Sequence, residues 1–509
     1  MKLRALAIVC CLAAVQLAAA DDRLATLIQN GARDAALELI DSGANVNETQ
    51  GDGTAPLHWA VYRIDPDLVR TLLDHGAATD VVNNFGSSPL AEAVKVAHAG
   101  LVAMLLEAGA DVEAPNLDGQ TALMLAARSG SMEVARLLVE HGADVNAKES
   151  WRGQTVLMWA ADARFGELAQ FLVANGADVH ERAMANDWRA QITSEPRAQY
   201  RPTGGLTPLL YAARSGCYDC VRAILDAGAD IDRPNPDGVT PLIMAIDNFA
   251  FDTAKLLLER GANPHVWDWW SRTALYAAVD MNSYSSRRRG PATTDQASAI
   301  DIARMLLDAG VDPNTQLNMH RPGRGGNSSR FTDDLLTTGA TPLLRAAIGT
   351  DLEAIELLLD HGALVDLPNV MGVTPLMGAA GMGVSGRDRR LNLDGAEGIE
   401  ERVIATLDVL LAAGADINAR VTDIHSRTGR IARISTMTER EQQTALFGAV
   451  KFGWARVVEY LIARGAQVDI VDALGKSPLD AALGQIGGRD NVVSEEVAEI
   501  LRNASRNGA

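Results

Sequence analysis

Residues 119–146 read GQTALMLAARSGSMEVARLLVEHGADVN, and this stretch decides the architecture of the chain. Thr121 opens a run in which Leu123, Ala126 and Ala127 fall on one side of a helix, and Ser129-Gly130 ends it in a tight turn. A second helix is predicted from Met132 to Glu140, with Val134, Leu137 and Leu138 on one face and His141-Gly142 as its stop. Ala143-Asp144-Val145-Asn146 then leads into an extended loop of the kind Asp118-Gly119 closes. One unit is thus two short helices and a loop, too small to bury its apolar face alone.

The unit recurs. Its opening phrase, Gly-x-Thr-(Pro/Ala)-Leu-x-x-Ala, places Thr-equivalent residues at Ala55, Ser88, Thr121, Thr155, Thr207, Thr240, Thr273, Thr341, Thr374, Thr444 and Ser477. The steps between them are 33, 33, 34, 52, 33, 33, 68, 33, 70 and 33 residues. A period near 33 means a stacked solenoid, whose units contact only their neighbours. One elongated domain is therefore expected from 509 residues.

The phrases Ala55-Pro56-Leu57-His58-Trp59-Ala60, Thr207-Pro208-Leu209 and Thr240-Pro241-Leu242, each followed by a Gly-Ala ending, resemble ankyrin repeats. The resemblance runs from about residue 22 to 505. It implies an all-α ankyrin-repeat solenoid of about 11–12 repeats over 21–509, with hairpin-like loops as fingers and first helices as a palm. Residues 23–42 and 478–501 would cap its ends. The resemblance also implies binding of a protein partner, no enzymatic activity and no cofactor. One departure is consistent: the histidine usual after Pro-Leu is present only as His58. Met124, Met158, Leu210, Ile243, Tyr276, Leu344, Met377 and Phe447 replace it, so apolar packing substitutes for its hydrogen bonds. This pattern resembles exported bacterial ankyrin-repeat proteins more than the cytosolic kind.

Residues 1–20 read as a signal peptide. Lys2 and Arg4 form a basic start, Ala5 to Leu17 an apolar stretch, and Ala18-Ala19-Ala20 a cleavage site. The expected product is exported, periplasmic or extracellular, and cut near Ala20. Cys10 and Cys11 lie too close to Arg4 for an apolar region to precede a lipidation site. No segment is long enough for a membrane span. A net charge of −19 argues against nucleic acid and anionic membranes as partners. A monomer is expected. With only Cys217 and Cys220 left after cleavage, no disulfide framework holds the chain. Their CxxC spacing leaves a disulfide, reduced thiols or thiol chemistry open, although Cys220 matches the core position of Val134.

The irregular steps carry the functional expectations. Extra residues divide into finger insertions near 181–203, 315–339 and 420–441, and helix-to-helix insertions near 280–298 and 382–400. Insertions in repeat proteins become surface loops. They hold Arg287, Arg288, Arg289, His320, Arg321 and Arg324, a guanidinium-rich lip suited to carboxylate or phosphate. A second candidate surface is the palm, where Trp59, Trp159, Tyr211 and Met244 occupy one repeated position that later units fill with Ala277, Arg345, Gly378 and Gly448. The third is the finger aromatics Trp151, Trp267, Trp269 and Trp270. Each feature has a bland counterpart: solvated loops, seam-covering side chains, and aromatics packed beneath a neighbouring loop. No HExxH, Gly-x-Ser-x-Gly or P-loop phrase supports catalysis or a metal. Two functions follow: a scaffold that binds protein through palm and fingers, or a small-ligand or peptide receptor with a pocket capped by the insertions around repeats 7–9.

Overall fold

The computed structural model describes residues 23–186, 203–283, 294–318, 338–382, 398–422, 441–486 and 492–507. These residues form twelve helix pairs. Contacts divide the chain into two compact units, Met1–Ala185 with Gly205–Asp230 and Asn186–Gly204 with Ile231–Ala509.

The first unit holds α1 (Arg23–Gln29), α2 (Arg33–Asp41), α3 (Pro56–Tyr62), α4 (Pro66–Asp74), α5 (Pro89–Lys95), α6 (Ala99–Glu107), α7 (Ala122–Ser129), α8 (Met132–Glu140), α9 (Val156–Asp162), α10 (Gly166–Ala174), α11 (Pro208–Ser215) and α12 (Tyr218–Asp226). First helices pack on first helices, α1 through α11 in turn, and second helices on second helices. The second unit repeats the scheme with α13 (Pro241–Asp247), α14 (Phe251–Glu259), α15 (Ala274–Asn282), α16 (Ala299–Asp308), α17 (Pro342–Ile348), α18 (Leu352–Asp360), α19 (Pro375–Ala379), α20 (Ile399–Ala412), α21 (Ala445–Phe452), α22 (Ala455–Ala463), α23 (Pro478–Ala482) and α24 (Glu495–Asn507).

The repeated phrase explains each pair. In all the units but those of Ala55 and Thr444, the Thr-equivalent hydroxyl accepts a hydrogen bond from the N–H three residues on, as Thr341 Oγ1 does from Leu344 at 3.0 Å, and so caps the first helix. Proline follows at the first helical position of α3, α5, α11, α13, α17, α19 and α23, where no N–H is needed. Small buried residues such as Ala126, Ala127, Ala160 and Ala161 let neighbouring pairs approach, and Leu123 and Leu138 seal the seam between them. Each such leucine contributes about 1.5–3 kcal/mol. At the other end of the second helix, His75, His141 and His361 donate Nδ1–H to the carbonyl four residues back, each at 2.8 Å.

His58 is buried in the one unit that begins with alanine in place of threonine. Its Nδ1 accepts from Ala55 N–H at 3.1 Å and its Nε2 donates to Ser87 O at 2.9 Å, so both ring nitrogens are used and the ring is neutral. Burial holds its pKa below the ordinary 6.5, against the opposing pull of Ser87 O, Glu92 and Asp52. A depressed histidine favours folding while it stays neutral, and the unfolded chain takes up the proton first as pH falls. Stability is therefore expected to fall as pH drops below 6.5, and His58→Gln should remove that part of the slope. Urea midpoints measured at pH 7.5 and 5.5 check this; identical pH slopes for both proteins refute it.

The fingers are hairpins closed by a backbone hydrogen bond to the carbonyl just before each Thr-equivalent residue. The closing pairs are Gln50–Thr54, Asn83–Ser87, Asn116–Gln120, Glu149–Gln154, Asn235–Val239, Asp268–Arg272, Asn369–Val373 and Asp472–Lys476. In most of them an Asn or Asp at the first position also accepts the N–H groups two and four residues on, which rigidifies the tip; Asn116 Oδ1 takes Asp118 and Gln120 this way. Three fingers differ. Their closing pairs are Ala183–Leu206, Leu317–Ala340 and Val421–Gln443, 23, 23 and 22 residues apart instead of the usual four. The first residue there is apolar and does not fix a tight tip, and beyond the first of these pairs the hairpin runs on as a two-stranded pairing of Ala185–Asn186 with Thr203–Gly204. Most residues of the insertions near 181–203, 280–298, 315–339, 382–400 and 420–441 lie outside the described residues.

Candidate functional site

The palm is built from two columns on the first helices, four and seven residues after each Thr-equivalent position. In the first unit the four-column holds Trp59, Glu92, Leu125, Trp159 and Tyr211. Trp59 is half-buried; its Nε1 donates to Gln50 Oε1 at 2.8 Å and its ring meets Tyr62 edge-on at 5.8 Å. Trp159 is also half-buried, with the Arg128 guanidinium from the preceding unit's seven-column 5.6 Å from its ring. The buried Nε1 of Trp159 has no hydrogen-bond partner among the described residues, a deficit of about 1–3 kcal/mol. Arg214 lies 4.7 Å from the Tyr211 ring and pairs with Asp162 at 2.7 Å.

Tyr211 departs from the expectation that it offers binding surface. It is 4% exposed, and its hydroxyl accepts from Gln154 Nε2 at 2.7 Å. Burial raises its pKa, opposed by the Gln154 hydrogen bond. The side chain braces the palm and does not present a face. Met244, in the second unit, is half-buried with Asn248 Nδ2 3.6 Å from its sulfur.

Later palm positions behave differently. Arg345 is buried, its Nε donating to Asp280 Oδ1 at 2.5 Å, so a cation from one unit is neutralised by the seven-column of the unit before. At Gly448 an added Cβ would stand 2.6 Å from Ala380 O, so there the palm narrows to backbone contact.

The finger before Thr273 separates its three tryptophans. Trp267 and Trp269 are exposed, whereas Trp270 is 6% exposed and joins the core in place of offering an anchor. Between them lies an ion triad unseen in the sequence. Arg272, fully buried, donates to Asp247 Oδ1 and Oδ2 at 2.6 and 2.7 Å and to Asp268 Oδ2 at 2.9 Å. Burial alone would lower the guanidinium's pKa, but Asp247 and Asp268 reverse this and hold it above its ordinary value. Asp268 Oδ1 meanwhile accepts Trp270 and Arg272 N–H, which pins the tip. The remaining finger aromatic, Trp151, is 73% exposed, with Arg152 5.0 Å from its ring. Glu149 is buried beneath it and accepts N–H from Trp151, Arg152 and Gln154.

Arg287, Arg288, Arg289, His320, Arg321 and Arg324 lie outside the described residues. Cys217 and Cys220 are joined as a disulfide at the start of α12, both buried. Among the described residues no group of His, Cys, Asp or Glu could hold a metal ion, and no helix is long and apolar enough to cross a membrane.

Stacked helix pairs with Thr-capped first helices and hairpin fingers define a helical-repeat protein. The chain belongs to the ankyrin-repeat family: the family described as Ankyrin repeats (3 copies) matches residues 24–116, 113–183, 190–268 and 209–317, and Ankyrin repeat matches 441–473. No curated protein matches the chain. Ankyrin repeats generally mediate protein–protein interaction and are typically non-enzymatic.

Proposed function

We propose that this chain is a non-enzymatic, exported scaffold, released near Ala20 into a periplasmic or extracellular space, which acts as a monomer and binds one protein partner through palm and fingers. The observation that carries the reading is the exposure of tryptophans on the fingers, Trp151 in the first unit and Trp267 and Trp269 in the second, together with the half-buried Trp159 on the first unit's palm. Tryptophan is among the side chains that dominate interface energetics. This reading uses no cofactor, metal or nucleic acid, and the acidic charge of −19 supports the last of these.

The test is capture of a saturable one-to-one partner from the exported fraction by the native chain, compared with Trp159→Ala and Trp267→Ala/Trp269→Ala. Loss of an interface tryptophan costs about 2 kcal/mol or more, so affinity should fall about 30-fold in at least one variant with melting unchanged. Equal affinity in both variants, or no saturable partner, refutes the reading. An exported form that retains Met1 refutes the processing.

A further inference from the structure

Four of the exposed apolar side chains of the first unit lie on consecutive fingers. Phe85 and Leu117 are 74% and 76% exposed, and Trp151 and Met184 are exposed as well. Phe85, Leu117 and Trp151 occupy the tips of consecutive fingers, and Met184 stands on the next, longer finger just beyond its Ala183–Leu206 pair. The tips touch: a Cβ built on Gly86 would lie 2.6 Å from Leu117 Cγ, and one on Gly153 would lie 3.0 Å from Met184 Cγ. Backbone hydrogen bonds join neighbouring fingers, Ser150 N to Asp118 O at 2.9 Å and Met184 N to Arg152 O at 2.7 Å. The four exposed side chains therefore punctuate one backbone ladder of adjoining fingers, a fingertip ridge, and exposed apolar groups brought together in this way mark an interaction surface. Around it, finger residues 43–54, 76–87, 109–120, 142–154 and 176–184 carry ten carboxylates against three cations.

We propose that this ridge docks a basic amphipathic helix of a protein partner. The inference rests on the scaffold reading and names the partner's chemistry. Each finger is a two-stranded hairpin bonded to the next, so the tips recur at about twice the strand spacing, roughly 10 Å. An extended segment covers that distance in about three residues, and residues three apart on a strand point to opposite faces. A helix covers it in seven residues, about 10.5 Å, and residues seven apart share a face. A helix with an apolar residue every seventh position meets each tip in register. The carboxylate excess selects Lys and Arg on its flanks.

The experiment uses two synthetic helical peptides about 21 residues long, leucine at every seventh position, one flanked by lysine and the other by glutamate. Binding to the full chain is read by anisotropy of the labelled peptide. The lysine peptide should bind, more weakly as salt rises, and lose at least tenfold affinity in the triple variant Phe85→Ala, Leu117→Ala, Trp151→Ala, whose exposed positions leave the circular dichroism and melting unchanged. Equal binding of the glutamate peptide, no binding of the lysine peptide, or unchanged binding by the triple variant overturns the proposal. Partner capture that survives the triple variant but is lost in Trp159→Ala also overturns it, while leaving the scaffold reading intact.

Discussion

Arg272→Ala is expected to destabilise the second unit by about 3–5 kcal/mol, because it leaves two buried carboxylates facing each other without their cation. The geometry makes the loss large. Arg272 makes three charge-assisted hydrogen bonds of 2.6 to 2.9 Å, two of them a fork onto Asp247. No solvent reaches the guanidinium, so water cannot take its place. Part of the penalty is desolvation of the two carboxylates and not the net worth of the triad. A second variant separates the two: Arg272→Met/Asp247→Leu/Asp268→Asn removes the charge while the introduced side-chain amide oxygen still caps the tip, and it should recover most of the lost stability. Urea unfolding, with hydrogen exchange of α13 and α15 amides to localise the loss, checks both. A loss under about 1 kcal/mol for Arg272→Ala would show that the triad is solvated in solution.

The triad also marks the limit of what the sequence reveals. The period, the Thr caps and the helix-ending glycines repeat at fixed offsets and depend only on local chemistry, so the helix pairs were legible from residues such as Thr121, Gly130 and Gly142. The opening of the long fingers has a local signal too: Ala183, Leu317 and Val421 stand where other fingers carry a turn-fixing polar residue. Contacts across units were not legible. Asp247 and Arg272 read as an ordinary helix end and an ordinary loop residue, 25 positions apart. Tyr211 looked like a palm aromatic available to a partner, but Gln154, 57 positions earlier and across an insertion, occupies its hydroxyl. Trp269 and Trp270 are adjacent and chemically identical, yet one faces solvent and the other the core. Only the hairpin geometry that Asp268 imposes distinguishes them. The fingertip ridge was half visible: Trp151 stands out as an aromatic, whereas Phe85, Leu117 and Met184 matter through alignment in space.

The narrowing of the palm gives the second large effect, and its sign depends on two opposing terms. Gly448 lies inside α21, where alanine would ordinarily stabilise a helix by about 0.8–1 kcal/mol. Here the added methyl would stand 2.6 Å from Ala380 O and 2.7 Å from Met382 N, both backbone atoms of the preceding repeat. Backbone cannot swing aside as a side chain can, so α21 must shift bodily. Overpacking of this kind costs about 1–3 kcal/mol and more where the neighbours are rigid. The clash therefore wins where the backbone cannot relax, and Gly448→Ala should lower stability by about 1–2 kcal/mol net. Gly100→Ala in α6 is the control, since its nearest contact is a side chain, the His98 ring at 3.2 Å, and no backbone atom. That variant should be neutral or slightly stabilising. Urea midpoints for the two proteins, with hydrogen exchange followed in α19 and α21, decide the matter. Equal or higher stability of Gly448→Ala would mean that the repeats separate easily at this point, and that the later palm is wide enough to take a side chain after all.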